Sequence, residues 1–285
     1  MTIYEALDCS PIGQAAGIKL HKADKDKLPE GWLVSEKLDG VSGVFVAGAF
    51  YSLTGKPLSN THLIENPFAD SDLVIFGEIT SRSLSLEELS GVLNPNTKKE
   101  VKDVDLYFSP FDAVTVEEYR IGSTATSYVN RLARLREVAS STVTQYRYNL
   151  DGARELFDYI TYLGGEGVVF RDPNAGWFRG KRTRTVLKLV KEPRFDLKVL
   201  DIEEGTGKRA GTVGRVILEF KGNPIKADLG KGFPDDRRQE IWDNRQSYIG
   251  CIADVKALAV SSTGKSLRLP KIENMRRLDK EVSDE

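Results

Sequence analysis

Apolar and polar positions alternate in short runs along the first two-thirds of the chain. Segments 32–37, 43–47, 73–80, 104–112, 142–147, 166–170 and 185–191 are rich in β-branched and aromatic residues, with short turns between them. That pattern predicts strands. In "TSYVNRLARLREVA" the residues Val129, Leu132, Leu135 and Val138 recur every third position, which predicts an amphipathic helix. Its arginines, Arg131, Arg134 and Arg136, are expected on the solvated side. A second helix is predicted for "DGARELFDYITYLGG", capped by Asp151, stopped by Gly164–Gly165 and packed against a sheet.

The character changes at "KEPRFDLKVL", where Pro193 interrupts the pattern. Beyond it the chain reads as short strands at 196–204, 212–221, 224–228, 251–260 and 266–269. One helical stretch, "PDDRRQEIWDN", carries Asp235 and Asp236 in its first turn, where the helix dipole favours acids. Five strands and one helix suit a small Greek-key barrel of the oligonucleotide-binding (OB) type. The expected division is therefore 1–191 and 192–285. No internal repeat or low-complexity segment interrupts either part.

Composition narrows the chemistry. The 285 residues are 40% hydrophobic and 29% charged, enough for a core in each of two domains. No apolar run approaches the ~20 residues of a membrane span, and the N-terminus does not read as a signal peptide. Two distant cysteines, Cys9 and Cys251, suggest a reducing cytoplasm and no disulfide framework or zinc site. Two histidines, His21 and His62, disfavour histidine-based metal chemistry or a serine–histidine triad. Net charge is -1, yet Arg171 to Lys191 holds seven basic residues against one acid, Asp172. Such a run is either a solvated loop or a site for an anion.

Within that frame "LVSEKLDGVSG" (33–43) stands out. Two-residue spacing in a strand would set Lys37 and Asp39 side by side, and Gly40 permits close approach to the backbone. "FGEIT" places Glu78 at the end of an apolar strand, and "GGEGVVFRD" places Glu166 between glycines at a strand start. Taken alone, either glutamate could be an ordinary surface residue. "LKLVK" sets Lys188 and Lys191 in an apolar strand, and buried ammonium groups need anionic partners.

In their order, Lys37–Asp39–Gly40, Glu78, Phe111–Asp112, Glu166–Gly167, Lys188/Lys191 and Arg277–Asp279–Lys280 resemble the six motifs of the covalent nucleotidyltransferases. "SEKLDGV" and "GTGKRAGTVG" are more narrowly similar to minimal ATP-dependent DNA ligases of bacteria and phages, and the resemblance spans residues ~30 to 280. It implies an α+β protein of two domains, a mixed α/β adenylation domain of antiparallel sheets with flanking helices followed by a small OB-fold barrel. It implies ATP and Mg²⁺ (or Mn²⁺), a monomer, and nicked double-stranded DNA as partner. Lys37 would be the nucleophile, assisted by Asp39, Lys188 and Lys191. Positive charge from the two lysines and a metal would free its lone pair. Glu36, Glu78, Phe111, Glu166, Arg277 and Lys280 would join Lys37, Lys188 and Lys191 around the nucleotide, with Phe111 on adenine. Glu166, Asp39 and Glu78 are the carboxylates available to a hard cation. The 191–194 segment would act as a hinge.

The chain departs from this pattern at three places. Ser42 and Leu53 stand where the family has arginines that hold the phosphate and 3′ side of a nick, and Lys188 and Lys191 are three apart rather than two. DNA contacts would then fall to Lys56, Arg179, Lys181 and Arg182, with Lys208 and Arg209 in the second domain. The competing readings are an RNA ligase or other lysine nucleotidyltransferase, and a non-enzymatic nucleic-acid-binding protein with a decayed pocket.

Overall fold

The computed structural model describes residues 1–10, 19–23, 27–64, 68, 71–94, 96, 101, 104–261, 263–275 and 282–283. They fall into two compact units, Met1–Lys191 and Glu192–Glu285.

Among the described residues the first unit is built on two main sheets and a two-stranded pair, Ser123–Thr124 with Trp177–Phe178. One has the strand order Lys19–Lys22, Arg182–Val190, Gly167–Arg171, Leu33–Glu36, Tyr146–Arg147. Its outermost pair, 19–22 with 182–190, is parallel, and the other pairs are antiparallel. Helix Leu150–Tyr162 buries Ala153, Phe157 and Ile160 in a core shared with Val34, Val168 and Phe170. Asn149 caps this helix, its side chain accepting from the Gly152 amide, two residues before the expected Asp151. Either residue type can cap, and the sequence alone did not separate them.

The other sheet is wholly antiparallel in the order Ala49–Ser52, Val41–Val46, Leu73–Thr80, Tyr107–Thr115. Alternation along Leu73–Thr80 sends Ile75 and Ile79 into one core and Val74 and Phe76 into another. Helix Tyr128–Val138 covers the first side through Leu132 and Leu135. Gly77 makes room there, since a Cβ would lie 2.5 Å from the Phe108 ring.

The expectation for this helix needs one correction. Arg131 is buried, because Tyr128, Arg131 and Leu135 form an i, i+3, i+7 stripe on the inward face. Its guanidinium donates to both carboxylate oxygens of buried Asp112, at 2.8 and 3.0 Å, and to the carbonyls of Thr126 and Ala175. Arg134 pairs with Glu118 at 2.7 Å, which leaves only Arg136 of the three exposed and without such a partner.

The second unit is a closed five-stranded barrel in the order Arg194–Glu204, Val213–Phe220, Asn223–Leu229, Lys271–Asn274, Ile252–Lys256. Alternate residues such as Leu197, Val199, Val216, Leu218, Ala253 and Val255 fill its core, and helix Asp235–Asp243 adds Ile241. The predicted strand 251–260 is broken. Only Ile252–Lys256 belongs to the barrel, while Ala259–Val260 pairs with Leu267–Arg268 in a separate hairpin. The closing strand, Lys271–Asn274, offers a single buried apolar residue, Ile272, and has no readable alternation.

Candidate active site

Lys37 lies where the chain passes from one sheet to the other. Strand Leu33–Glu36 ends before it and strand Val41–Val46 begins after it, so residues 37–39 are irregular connection rather than strand. The Lys37 amide donates to the Gly167 carbonyl at 2.8 Å, which fixes the start of the crossing. Gly40 fixes its end, because a Cβ there would sit 2.4 Å from the Ile79 carbonyl oxygen. Strand periodicity therefore does not set Lys37 and Asp39 side by side. Lys37 lines a cavity and is largely covered, whereas Asp39 is exposed and takes no part in the cavity wall.

The cavity has a volume of about 310 Å³, at the lower end of the usual range for small-ligand sites. Glu36, Lys37, Glu78, Phe111 and Lys188 all line it. A β-bulge contributes to its shape. Phe76 pairs with Asp112 but Gly77 pairs with Pro110, so Phe111 is the extra residue. The bulge lets consecutive residues, Phe111 and Asp112, both reach the cavity. Phe108 belongs to the core on the other side of the sheet, so Phe111 is not simply its core companion.

Ser42 and Leu53 also line this cavity. Ser42 is the cross-strand partner of Glu78, and its hydroxyl donates to Glu78 Oε2 at 2.9 Å. Burial pushes the Glu78 carboxyl up to about 7, against the lowering effects of that hydrogen bond and of Lys37. Lys37 Nζ meets Glu166 Oε2 at 2.5 Å. The partner beside the amine is thus a carboxylate, not the pair of buried lysines expected. Lys188 is half-buried and lines the cavity, but Lys191 is exposed past the strand end, where its amide donates to the Glu166 carbonyl. Three-residue spacing accounts for this: Val186 and Lys188 share a face, and buried Val190 holds the next position on it.

Two wall residues escaped the sequence reading. Arg171 is buried, donates to Ser35 Oγ at 2.9 Å and lies 4.8 Å from the Phe111 ring centroid. An arginine two positions after Val169, closing an otherwise apolar strand, was its available signal. Buried Trp177 carried none.

The proposed DNA-facing residues separate. Lys56, Lys181 and Lys208 are exposed, and exposed Arg209 is paired with Asp235. Arg179 is not on the surface. Its guanidinium donates to Cys9 Sγ at 3.0 Å and the Ser10 carbonyl at 2.8 Å and lies 4.7 Å from the Tyr119 centroid, so it ties the N-terminal segment to the core. The Arg182 side chain, Arg277, Asp279 and Lys280 lie outside the described residues. Among the described residues no three acidic, histidine or cysteine side chains form a ready-made metal cluster. Mg²⁺ usually takes one or two carboxylates and completes its shell with water and substrate phosphates, and half-exposed Glu166 beside Lys37 fits that need.

The geometry meets a consistent set of likenesses. No family model matches the chain. A DNA ligase of Haemophilus influenzae is 28% identical over 247 residues, 83% of this chain and 84% of that protein. The chain is similar to DNA ligases along most of its length. The solved structure of Pmar-Lig_PreS3 matches with a TM-score of 0.76 and 26% identity, over 92% of this chain and 68% of that one. A Lig E DNA ligase, described as binding DNA with a minimal scaffold, matches with a TM-score of 0.67 and 21% identity, over 91% and 99%. The likeness runs through both units, the two-sheet unit and the barrel. No helix among the described residues is long and apolar enough to cross a membrane.

Proposed function

We propose that the protein is an ATP-dependent DNA ligase that seals a 5′-phosphate/3′-hydroxyl nick in duplex DNA. The observation that carries this reading is Lys37, held by Glu166 at the wall of a nucleoside-sized cavity, in a chain similar to ligases along nearly its whole length. Phe111, with Arg171 against its ring, and Trp177 offer apolar and aromatic surface for a purine. Glu78, with Oε2 engaged by Ser42, would read the sugar. Lys188 supplies positive charge for the α-phosphate.

The Lys37 amine would attack the α-phosphorus of ATP. A phosphorus–nitrogen bond forms, the bond to pyrophosphate breaks, and the amine gives up a proton. The DNA 5′-phosphate then takes the adenylyl group and returns the lysine. Attack by the 3′-hydroxyl finally releases AMP and seals the strand. A divalent cation held by Glu166 and the phosphates would offset the negative charge of the triphosphate. Arg277 and Lys280 remain the candidates for orienting pyrophosphate.

The test is incubation with α-labelled ATP and Mg²⁺, then addition of a 5′-phosphorylated nicked duplex. Acid-labile, alkali-stable label on the protein followed by sealing supports the reading. Label without sealing of DNA, but with joining of RNA ends, would replace it with an RNA ligase. Absence of label would remove the enzyme reading altogether.

A further inference from the structure

A second cavity in the first unit, of about 390 Å³, is lined by Thr80, Arg82, Tyr107, Ser109, Ser140 and Ser141 over an apolar floor that includes Phe68 and Phe108. Among the described residues its wall contains hydroxyls and one guanidinium but no carboxylate. The Arg82 guanidinium lies 4.9 Å from the Tyr107 ring centroid and has no acidic partner among the described residues. Its backbone is fixed independently, since the Arg82 amide donates to Asp105 Oδ2 at 3.0 Å, while Ser81 and Ser83 occupy the other oxygen of that carboxylate. Arg82 is therefore an exposed cation on a braced turn, with its charge uncommitted among the described residues.

The register brings one wall of this cavity next to the first, while its floor of Phe68 and Phe108 belongs to the core on the other side of the sheet. Glu78 pairs with Ser42 on one side and Ser109 on the other, so the three form a row across the sheet. Directly paired residues share a face. Ser42 and Glu78 line the nucleotide cavity, and Ser109, one strand over at ~4.8 Å spacing, lines the second. Thr80 and Tyr107, paired in the same way, continue the row pattern toward Arg82.

We propose that Arg82, with the hydroxyls of Ser109, Ser140 and Ser141, binds a backbone phosphate of the nicked DNA. The proposal rests on the ligase reading. It answers the displacement of the two expected arginine positions, Ser42 and Leu53, into the nucleotide cavity and the burial of Arg179. Guanidinium and hydroxyl donors on a wall with no carboxylate among the described residues suit a phosphodiester.

The test compares the wild-type chain with Arg82→Ala and Ser109→Ala on a 5′-phosphorylated nicked duplex and an intact duplex, over a range of salt. Arg82→Ala is expected to weaken binding of the nicked duplex about tenfold and to lower the salt slope by about one, as loss of one phosphate contact does. Arg82→Lys should restore part of the affinity and the slope. Unchanged affinity and slope in Arg82→Ala overturn the proposal, as does a parallel loss of lysine labelling by ATP, which would make Arg82 a structural residue. If the wild-type chain neither labels with ATP nor binds nicked duplex, the ligase reading itself has failed. Wild-type sealing with an indifferent Arg82→Ala strikes only the phosphate site.

Discussion

Lys37 Nζ and Glu166 Oε2, 129 residues apart in sequence, meet at 2.5 Å. Each is placed by backbone as well as by side chain, for the Lys37 amide bonds to Gly167, next to Glu166. The five-stranded sheet thus sets an amine and a carboxylate together at the wall of one cavity.

Lys37→Ala is expected to abolish covalent labelling by α-labelled ATP. The fold should survive, because this partly exposed ion pair is worth about 1 kcal/mol or less. Gel detection of label, with thermal unfolding of the same sample, checks both statements. A labelled protein in that variant would move the nucleophile elsewhere.

Glu78 gives a pH prediction. Burial raises its carboxyl from 4.5 to about 7, with Ser42 and Lys37 opposing. Between those values the folded protein holds a proton that the unfolded chain has released, so stability falls as pH rises through that window. Below about 4.5 both states are protonated and the penalty is absent. Glu78→Gln does not titrate there. The stability of Glu78→Gln relative to wild type should therefore grow by roughly 3 kcal/mol from pH 4 to pH 9. Denaturant melts of both proteins across that range measure it, and a difference that stays flat contradicts it.

The buried pair of Asp112 and Arg131 predicts a large loss of stability. Asp112→Ala leaves a guanidinium in the interior with only the Thr126 and Ala175 carbonyls, and an uncompensated buried charge costs about 3–5 kcal/mol. Equilibrium unfolding should show that loss. A value under 1 kcal/mol would mean that water reaches Arg131.

Local pattern made much of this legible. The central strand Leu73–Thr80 lies where alternation and β-branching put it, and Lys37, Glu78, Phe111 and Lys188 reach one cavity. What escaped depends on contacts distant in sequence. Arg131 reads as a solvent-facing arginine until Asp112 is brought against it, and Arg179 reads as part of a basic run until Cys9 and Tyr119 enclose it. The strand Lys271–Asn274 is set by its barrel neighbours on both sides rather than by its own residues. Lys191 is exposed for a local reason, since a third-position lysine falls off the strand face that Lys188 shares.

The last prediction concerns Ser42 and Leu53. As replacements for arginines that grip a nick, they point to changes in the DNA steps. Their positions point to the nucleotide instead, because both side chains line the cavity and Ser42 is bonded to Glu78. An arginine at 42 would exchange the hydroxyl bond for an ion pair with Glu78 and fill space a sugar needs. One at 53 would carry charge into a wall built from Phe76, Trp177 and Phe111. Overpacking typically costs about 1–3 kcal/mol, so Ser42→Arg with Leu53→Arg should slow lysine labelling about tenfold or more at low ATP. Raising ATP should recover part of the loss with Ser42→Arg alone, as expected where binding rather than chemistry is damaged. Sealing of a pre-adenylylated nick, which needs no ATP, should suffer less. Single-turnover measurement of labelling and sealing separates the two. Normal labelling with altered sealing would show that side chains at 42 and 53 turn toward DNA when they are long enough to reach it.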